Sequence, residues 1–273
     1  MKEMKNVIHG VLIVAVMAGA VSLSGQATQS PQTTPAAPSA QAAPAAQSAP
    51  AAETALAAQS VDEIVSKHVE ALGGKDAISK VKSVVMESSF TMMGSENPST
   101  TTILDGVGYK NEVEFNGAKI VQCYTDKGGW TINPMTGAAT ATAMPDDLYN
   151  AGKGQIFVGD PLFDYAAKGS KVELVGKDGS AYKIKVTSKE KVESVYTIDP
   201  TSYLITTVAT KGKMQDQEVN ITSKLSDYRK TELGVEMPYA YDIDLGGQFS
   251  IAIAVKKVEL NKTIDPAVFA RPK

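Results

Sequence analysis

Two histidines and one cysteine carry most of the nucleophile and metal-ligand chemistry open to this 273-residue chain. His9 sits in an N-terminal apolar run, so a Ser-His-Asp arrangement would rest on His68 alone. His68 falls between Val65 and Val69, on the same helical face as Ile64 and Leu72. A histidine in that setting is expected to be a partly buried helix residue under a sheet. Cys123 lies inside a candidate strand, Lys119–Thr125, where a free cysteine behaves as a small buried hydrophobe. One cysteine also excludes an intramolecular disulfide and a Cys-cluster metal site. Gly106-Val-Gly108 and Gly152-Lys-Gly154 are too short and wrongly placed for phosphate loops. Asp146-Asp147 suits a helix N-terminus without a metal. Trp130, after Gly128-Gly129, reads as a strand anchor. The residues therefore point away from an enzyme, with no metal and no cofactor. Thirty acidic and 27 basic residues give a net charge of −3, and two of each fall before residue 61. The body keeps that small acidic excess, which argues against a nucleic-acid partner.

The elements that position these residues begin at Ser60. Ser60-Val-Asp-Glu63 is a capping box. Val61, Ile64, Val65, Val69 and Leu72 then recur at helical spacing, and Gly73-Gly74 ends the helix. A short helix over Asp76–Lys80 follows. Beyond it the period is two. Apolar residues alternate with polar ones around Val84–Met92, Tyr109–Phe115, Tyr182–Val186, Val219–Leu225, Tyr239–Leu245 and Phe249–Val255. That pattern predicts antiparallel sheet with one wet and one dry face. Asn116-Gly117, Lys127-Gly128-Gly129, Lys177-Asp178-Gly179, Asp199-Pro200 and Gly246-Gly247 supply turns. Ten to eleven strands are expected, too many for a flat open sheet, so the sheet must curl into a full or partial barrel. Residues 145–168 break the pattern. They carry Leu148, Tyr149, Ile156, Phe157, Leu162 and Phe163 among glycines, and they read as short helices covering an apolar mouth or interior.

Two segments precede the body. Residues 1–27 place Lys2 and Lys5 before an apolar run and end in small residues, the pattern of an export signal cut after Ala27, with an uncleaved inner-membrane anchor as the alternative. Residues 28–60 hold 13 alanines and five prolines, with Glu53 the sole charge. Such a composition cannot bury enough surface to order itself and predicts a disordered, extended linker. The folded domain is expected over 61–273.

Four stretches of that body, in order, resemble the LolA-like superfamily of periplasmic lipoprotein carriers. They are Val61-Asp-Glu-Ile-Val-Ser-Lys-His-Val-Glu-Ala-Leu-Gly-Gly74, Asp160-Pro-Leu-Phe163, Val195-Tyr-Thr-Ile-Asp-Pro-Thr-Ser-Tyr-Leu204 and Val258-Glu-Leu-Asn-Lys-Thr-Ile-Asp-Pro-Ala-Val-Phe269. The resemblance implies an open antiparallel half-barrel, mainly β, with a helical lid or plug. It implies a monomeric periplasmic carrier that holds acyl chains of lipoproteins or lipids and passes them toward the outer membrane. An inner-membrane donor and an outer-membrane acceptor would be its protein partners. A sensor or scaffold of the RseB-like kind is the alternative on the same fold. The lid-holding arginine of the LolA carrier has no counterpart here, because Arg229 and Arg271 are both late in the chain. The apolar phase of the strands names the expected groove: Phe90, Met92, Tyr109, Val113, Phe115, Tyr182, Ile184, Tyr239, Tyr241, Phe249 and Ile251. The six apolar residues of 145–168 would form its lid.

Overall fold

The structure is a computed structural model that describes residues 59–214 and 217–273. The export signal and nearly all of the linker therefore lie outside the described residues. Helix α1 spans Val61–Ala71 and α2 spans Lys75–Lys80. The capping box forms as read: Glu63 N–H donates to Ser60 Oγ at 3.2 Å and Ser60 N–H to Glu63 Oε2 at 2.9 Å. Gly73 ends α1 at φ +109°, and a side chain there would strike the carbonyl of Gly234. Only glycine fits both conditions.

Thirteen strands follow among the described residues. They are β1 Ser83–Met92, β2 Ser95–Leu104, β3 Gly108–Phe115, β4 Ala118–Thr125, β5 Gly128–Asn133, β6 Ala138–Ala143, β7 Lys171–Asp178, β8 Ala181–Thr187, β9 Glu193–Ile198, β10 Ile205–Met214, β11 Gln217–Lys230, β12 Glu236–Leu245 and β13 Ser250–Leu260. The count exceeds the ten to eleven expected. The additional strands are ones without an apolar period: β2 is built of Ser and Thr, β6 reads AATATA, and β7 is exposed along almost its whole length. All neighbours are antiparallel, in the order β6-β5-β4-β3-β2-β1-β13-β12-β11-β10-β9-β8-β7. Every pairing is between consecutive strands except β1 with β13. The first and last strands thus meet at the centre, and β6 and β7 are the two edges. The connection between those edges, residues 144–170, contains helix α3 (Asp146–Gly152) and a 3-10 turn (Lys153–Ile156).

Two irregularities at the centre of the sheet bear on its dry face. Between Glu87 and Ser88 the partner in β13 jumps from Lys257 to Val255, so Lys256 is an extra residue. This bulge resets the inward phase of β13 from Ile251, Ile253 and Val255 to Val258 and Leu260. The β12–β13 pairing runs only over Ala240–Asp244. Pro238 lies just beyond it, where a missing N–H does no harm to the ladder. Past that point Glu236 N–H donates to the Leu72 carbonyl at 3.0 Å, so the end of α1 takes over as the neighbour of β12.

The dry face is filled in separate clusters. One joins Phe90, Met92, Val113, Phe115, Ile221, Leu245 and Ile251 with Leu148 and Ala151 of α3. A second joins Ile64 and Val65 of α1 with Leu162, Ile184, Tyr196 and Ile205. A third joins Leu72, Ile78, Val84, Met86, Phe163 and Val255. The expected face of α1 is the one that packs, with Ile64, Val65 and Leu72 buried. A smaller cluster on the opposite face holds Val121, Cys123 and Trp130 under Phe269 of the C-terminal turn. There Trp130 Nε1 donates to the Phe269 carbonyl at 2.8 Å, and Gly108 leaves space for the Phe269 ring.

Trp130 is the single tryptophan of the chain and a built-in probe of this cap. Phe269→Ala is expected to cost about 3 kcal/mol. It should also shift the Trp130 emission to longer wavelength in the folded protein. Unchanged emission together with unchanged melting would show that the C-terminal turn does not cap the outer face.

Candidate functional site

The segment from β6 to β7 crosses the dry face because its two ends start from opposite edges of the sheet. It is fastened along its length. Tyr149 Oη donates to the Thr125 carbonyl at 2.8 Å, and Gly152 packs so closely on the Tyr124 ring that a side chain would collide with it. Gly106 N–H donates to the Ile156 carbonyl at 2.9 Å, and Val158 N–H to Asp105 Oδ1 at 3.0 Å. Lys153 meets Glu190 of the β8–β9 turn at 2.7 Å. Tyr165 Oη donates to Asp62 of α1 at 2.6 Å.

The central fastening is His68 with Asp160. His68 is fully buried on α1, with Nε2 2.8 Å from Asp160 Oδ2 and Nδ1 2.7 Å from the Tyr203 carbonyl oxygen. Asp160 Oδ1 also accepts from Leu162 N–H at 2.7 Å. Burial disfavours the imidazolium, but the Asp160 charge and hydrogen bond and the Tyr203 carbonyl outweigh it, so the His68 pKa is raised. Burial likewise disfavours the Asp160 carboxylate, but His68, the Leu162 N–H and Lys168 outweigh it, so the Asp160 pKa is lowered. Both groups are thus held charged, as an ion pair whose histidine is fully buried and whose aspartate is half-buried. Lys168 is half sunk beside them and is shifted down by burial, against the pull of Asp160, Asp105 and Asp164. Its Nζ lies 5.5 Å from the Phe163 ring centroid and 5.8 Å from that of Phe157. Cys123 faces the opposite side of the sheet, and burial pushes its thiol up to about 12.

Between the crossing segment and the sheet lies a cavity of about 660 Å³. Its floor and sides are Leu72, Ile78 and Val81 from the first helices, Val84 and Met86 of β1, Ile103 of β2, Ile205 of β10, Leu225 and Tyr228 of β11, and Tyr241 of β12. Its roof is Tyr149, Ala151, Ile156, Phe157 and Val158. Charged side chains on the wall are Lys153, Lys168 and Lys189 against Asp126, Asp160, Glu190 and Glu236. The volume falls in the range of small-molecule sites, roughly 300–1,000 Å³, and the walls are mainly apolar with few polar groups. Among the described residues no three His, Cys, Asp or Glu side chains gather as a metal would need.

Of the residues expected in the groove, Tyr109, Tyr149, Ile156, Phe157 and Tyr241 line this cavity. Phe90, Met92, Val113, Phe115, Phe249, Ile251 and Leu148 belong to the packed cluster formed with the start of α3. Tyr182, Ile184 and Leu162 lie in the cluster under α1, and Phe163 and Tyr239 in the one around Leu72 and Val84. Sequence reasoning passed over Val84, Met86, Ile103, Ile205, Leu225 and the α1–α2 residues. Val84 and Met86 share the inward phase of Phe90, which was the available signal.

No family model matches the sequence, and no curated protein matches it. Solved structures do. A DUF1329 family protein from Desulfovibrio piger superposes with a TM-score of 0.51 at 13% identity, covering 77% of this chain and 97% of its own. A LolA superfamily protein from Nitrosomonas europaea gives 0.51 at 9% identity, covering 78% and 99%. The chain has a LolA-like fold. A domain from Vibrio parahaemolyticus named for outer membrane lipoprotein sorting also gives 0.51, at 10% identity and 75% and 95% coverage.

The ion pair fixes a pH window. A raised histidine contributes fully below its ordinary value of 6.5, and that contribution fades as pH climbs through the folded value. A lowered aspartate contributes fully above 3.8, and that contribution fades as pH falls through the folded value. Melting temperature should therefore fall from pH 6.5 toward 9. Asp160→Asn keeps the Leu162 hydrogen bond and removes the charge. It should cost about 3 kcal/mol near pH 6 and flatten the alkaline decline. An identical pH slope in variant and wild type would show that the pair does not fasten the segment.

Proposed function

We propose that this chain is an exported carrier that shelters an acyl chain of a lipid or lipoprotein in the cavity beneath its 144–170 segment. The observation that carries the reading is the cavity itself, set inside a LolA-like sheet and roofed by the segment that joins the sheet's two edges. Each methylene left in water costs about 0.8 kcal/mol, so a long acyl chain crossing an aqueous space needs such a shelter. The Vibrio parahaemolyticus neighbour named for lipoprotein sorting adds the cargo class by likeness of fold.

In this reading residues 1–27 direct export to the periplasm and residues 28–60 act as a spacer ahead of the binding body. Transfer needs no covalent step. The fastenings along the crossing segment make release a matter of loosening contacts, not of breaking bonds. A donor or acceptor protein would do this by competing for the segment's partners. An inner-membrane donor and an outer-membrane acceptor are the partners proposed.

Leu225 is half-buried on the cavity wall, so a larger side chain there projects into the cavity. Leu225→Trp should weaken binding of a fluorescent fatty acid tenfold or more while the fold is kept. Val113→Ala, in the packed cluster away from the cavity, should lower stability by about 1–2 kcal/mol. Its affinity should be unchanged. The reverse pattern, with Val113→Ala losing affinity and Leu225→Trp keeping it, would place the ligand at the other end of the sheet.

A further inference from the structure

Two lysines of the cavity wall are left over once the charges around them are paired. Lys168 belongs to the crossing segment and Lys189 to the β8–β9 turn, and both line the cavity. They are neighbours: a side chain at Gly169 would meet Lys189 Cβ and Cδ at 3.6 Å. Lys189 is exposed and has no ion-pair partner among the described residues. An ammonium can give three hydrogen bonds. Lys168 gives one among the described residues, to the Asp160 carbonyl at 3.2 Å. Its Nζ lies 5.8 Å from the centre of the Phe157 ring, and Phe157 is 41% exposed. The ammonium therefore stands at the accessible rim of the roof.

The carboxylates that act on Lys168 are Asp160, Asp105 and Asp164. Each is already engaged. Asp160 is paired with His68 and Asp164 with Lys75, both at 2.8 Å, and Asp105 accepts from Val158 N–H at 3.0 Å. Lys153 and Glu190 offset each other at 2.7 Å. This end of the cavity thus sets His68, Lys75, Lys153, Lys168 and Lys189 against Asp105, Asp160, Asp164 and Glu190, five cations against four carboxylates. The other acidic residues of the wall are Asp126, which acts on Tyr149, and Glu236, whose N–H holds the Leu72 carbonyl. Neither is among the groups that act on Lys168. Burial shifts Lys168 down in spite of its three carboxylates. A half-buried ammonium so placed gains from an anion that reaches it.

We propose that the ligand of this cavity is an anionic amphiphile: its carboxylate or phosphate sits on Lys168 and Lys189 at the rim, and its chain runs in among Val84, Met86, Ile103 and Leu225. This rests on the carrier reading above and names the head group of the cargo. A neutral head would leave the Lys168 charge uncompensated, and a cationic one would add repulsion.

The test is displacement of a fluorescent fatty acid by probes that share one chain length and differ in the head. Myristate, tetradecyl phosphate, tetradecanol and tetradecyltrimethylammonium are compared. The two anions should bind about tenfold tighter than the alcohol or more, and the cation should bind weakest. Whichever anion binds tighter names the head group, and either supports the proposal. Lys189→Gln, on an exposed side chain, should remove part of the anion advantage. Lys168→Met together with Lys189→Gln should remove it all, so that the anions bind like the alcohol. Lys168→Arg together with Lys189→Arg keeps both charges and should keep the advantage. Tetradecanol or the cation binding wild type as tightly as myristate would overturn the proposal and leave the carrier reading intact. An anion advantage that survives both Lys189→Gln and the Met/Gln pair would do the same. Failure of every probe, the fluorescent fatty acid included, would overturn the carrier reading with it.

Discussion

A sheet with one dry face and two unpaired edges has to cover that face with chain it already owns. Here the only stretch that joins β6 to β7 is residues 144–170, and it starts and finishes at opposite edges. Covering is thus a consequence of connectivity. The segment needs apolar side chains to pay for its place: Leu148, Leu162 and Phe163 supply them to the three dry-face clusters, and Ile156 to a further one with Tyr109, Tyr124 and Met144. The clusters do not merge. Where α3 sits low on the strands, the face is packed solid. Where the β12–β13 ladder ends and α1 and α2 form the floor, a cavity is left.

A buried ion pair is a costly way to hold two elements together, because desolvation of both charges offsets much of their attraction. The His68–Asp160 pair is well made: two ring nitrogens and both carboxylate oxygens have partners within 2.8 Å. Its value lies in position. It is directional where apolar packing is not, and it fixes the Asp160-Pro161-Leu162-Phe163 stretch so that Leu162 enters the cluster under α1 and Phe163 the one beside the cavity. A hydrophobic substitute could hold the segment as firmly without setting which residue goes where.

Much of the fold was legible in the sequence, because its signals are local. The capping box, the glycine stop, the Asn116-Gly117 hairpin and the period of β1, β3, β8 and β13 each depend on residues within a few positions of one another. Strands β2, β6 and β7 were hidden because their side chains are small, hydroxylated or exposed on both faces, and pairing alone makes them strands. The cavity was only partly legible. Period two tells which face a residue points to and says nothing of where along the strand the opposite wall is missing. Phe90 and Met86 share a phase on β1, yet one is packed beneath α3's cluster and the other faces open space. That difference is set by the bulge at Lys256 and the end of the β12–β13 ladder, both products of tertiary pairing. The partner of His68 lies 92 residues away, beyond any spacing rule.

Where an acyl chain sits along the sheet is the most direct measure of this account. Amide spectra of the folded body recorded with a stearate spin-labelled near its methyl end give the answer residue by residue. Broadening is expected at Val84, Met86, Ile103, Ile205 and Leu225 around the cavity, with Phe115, Ile221 and Leu245 in the packed cluster left sharp. Broadening centred on Phe115, Ile221 and Leu245, or spread evenly over the outer face around Trp130, would contradict it.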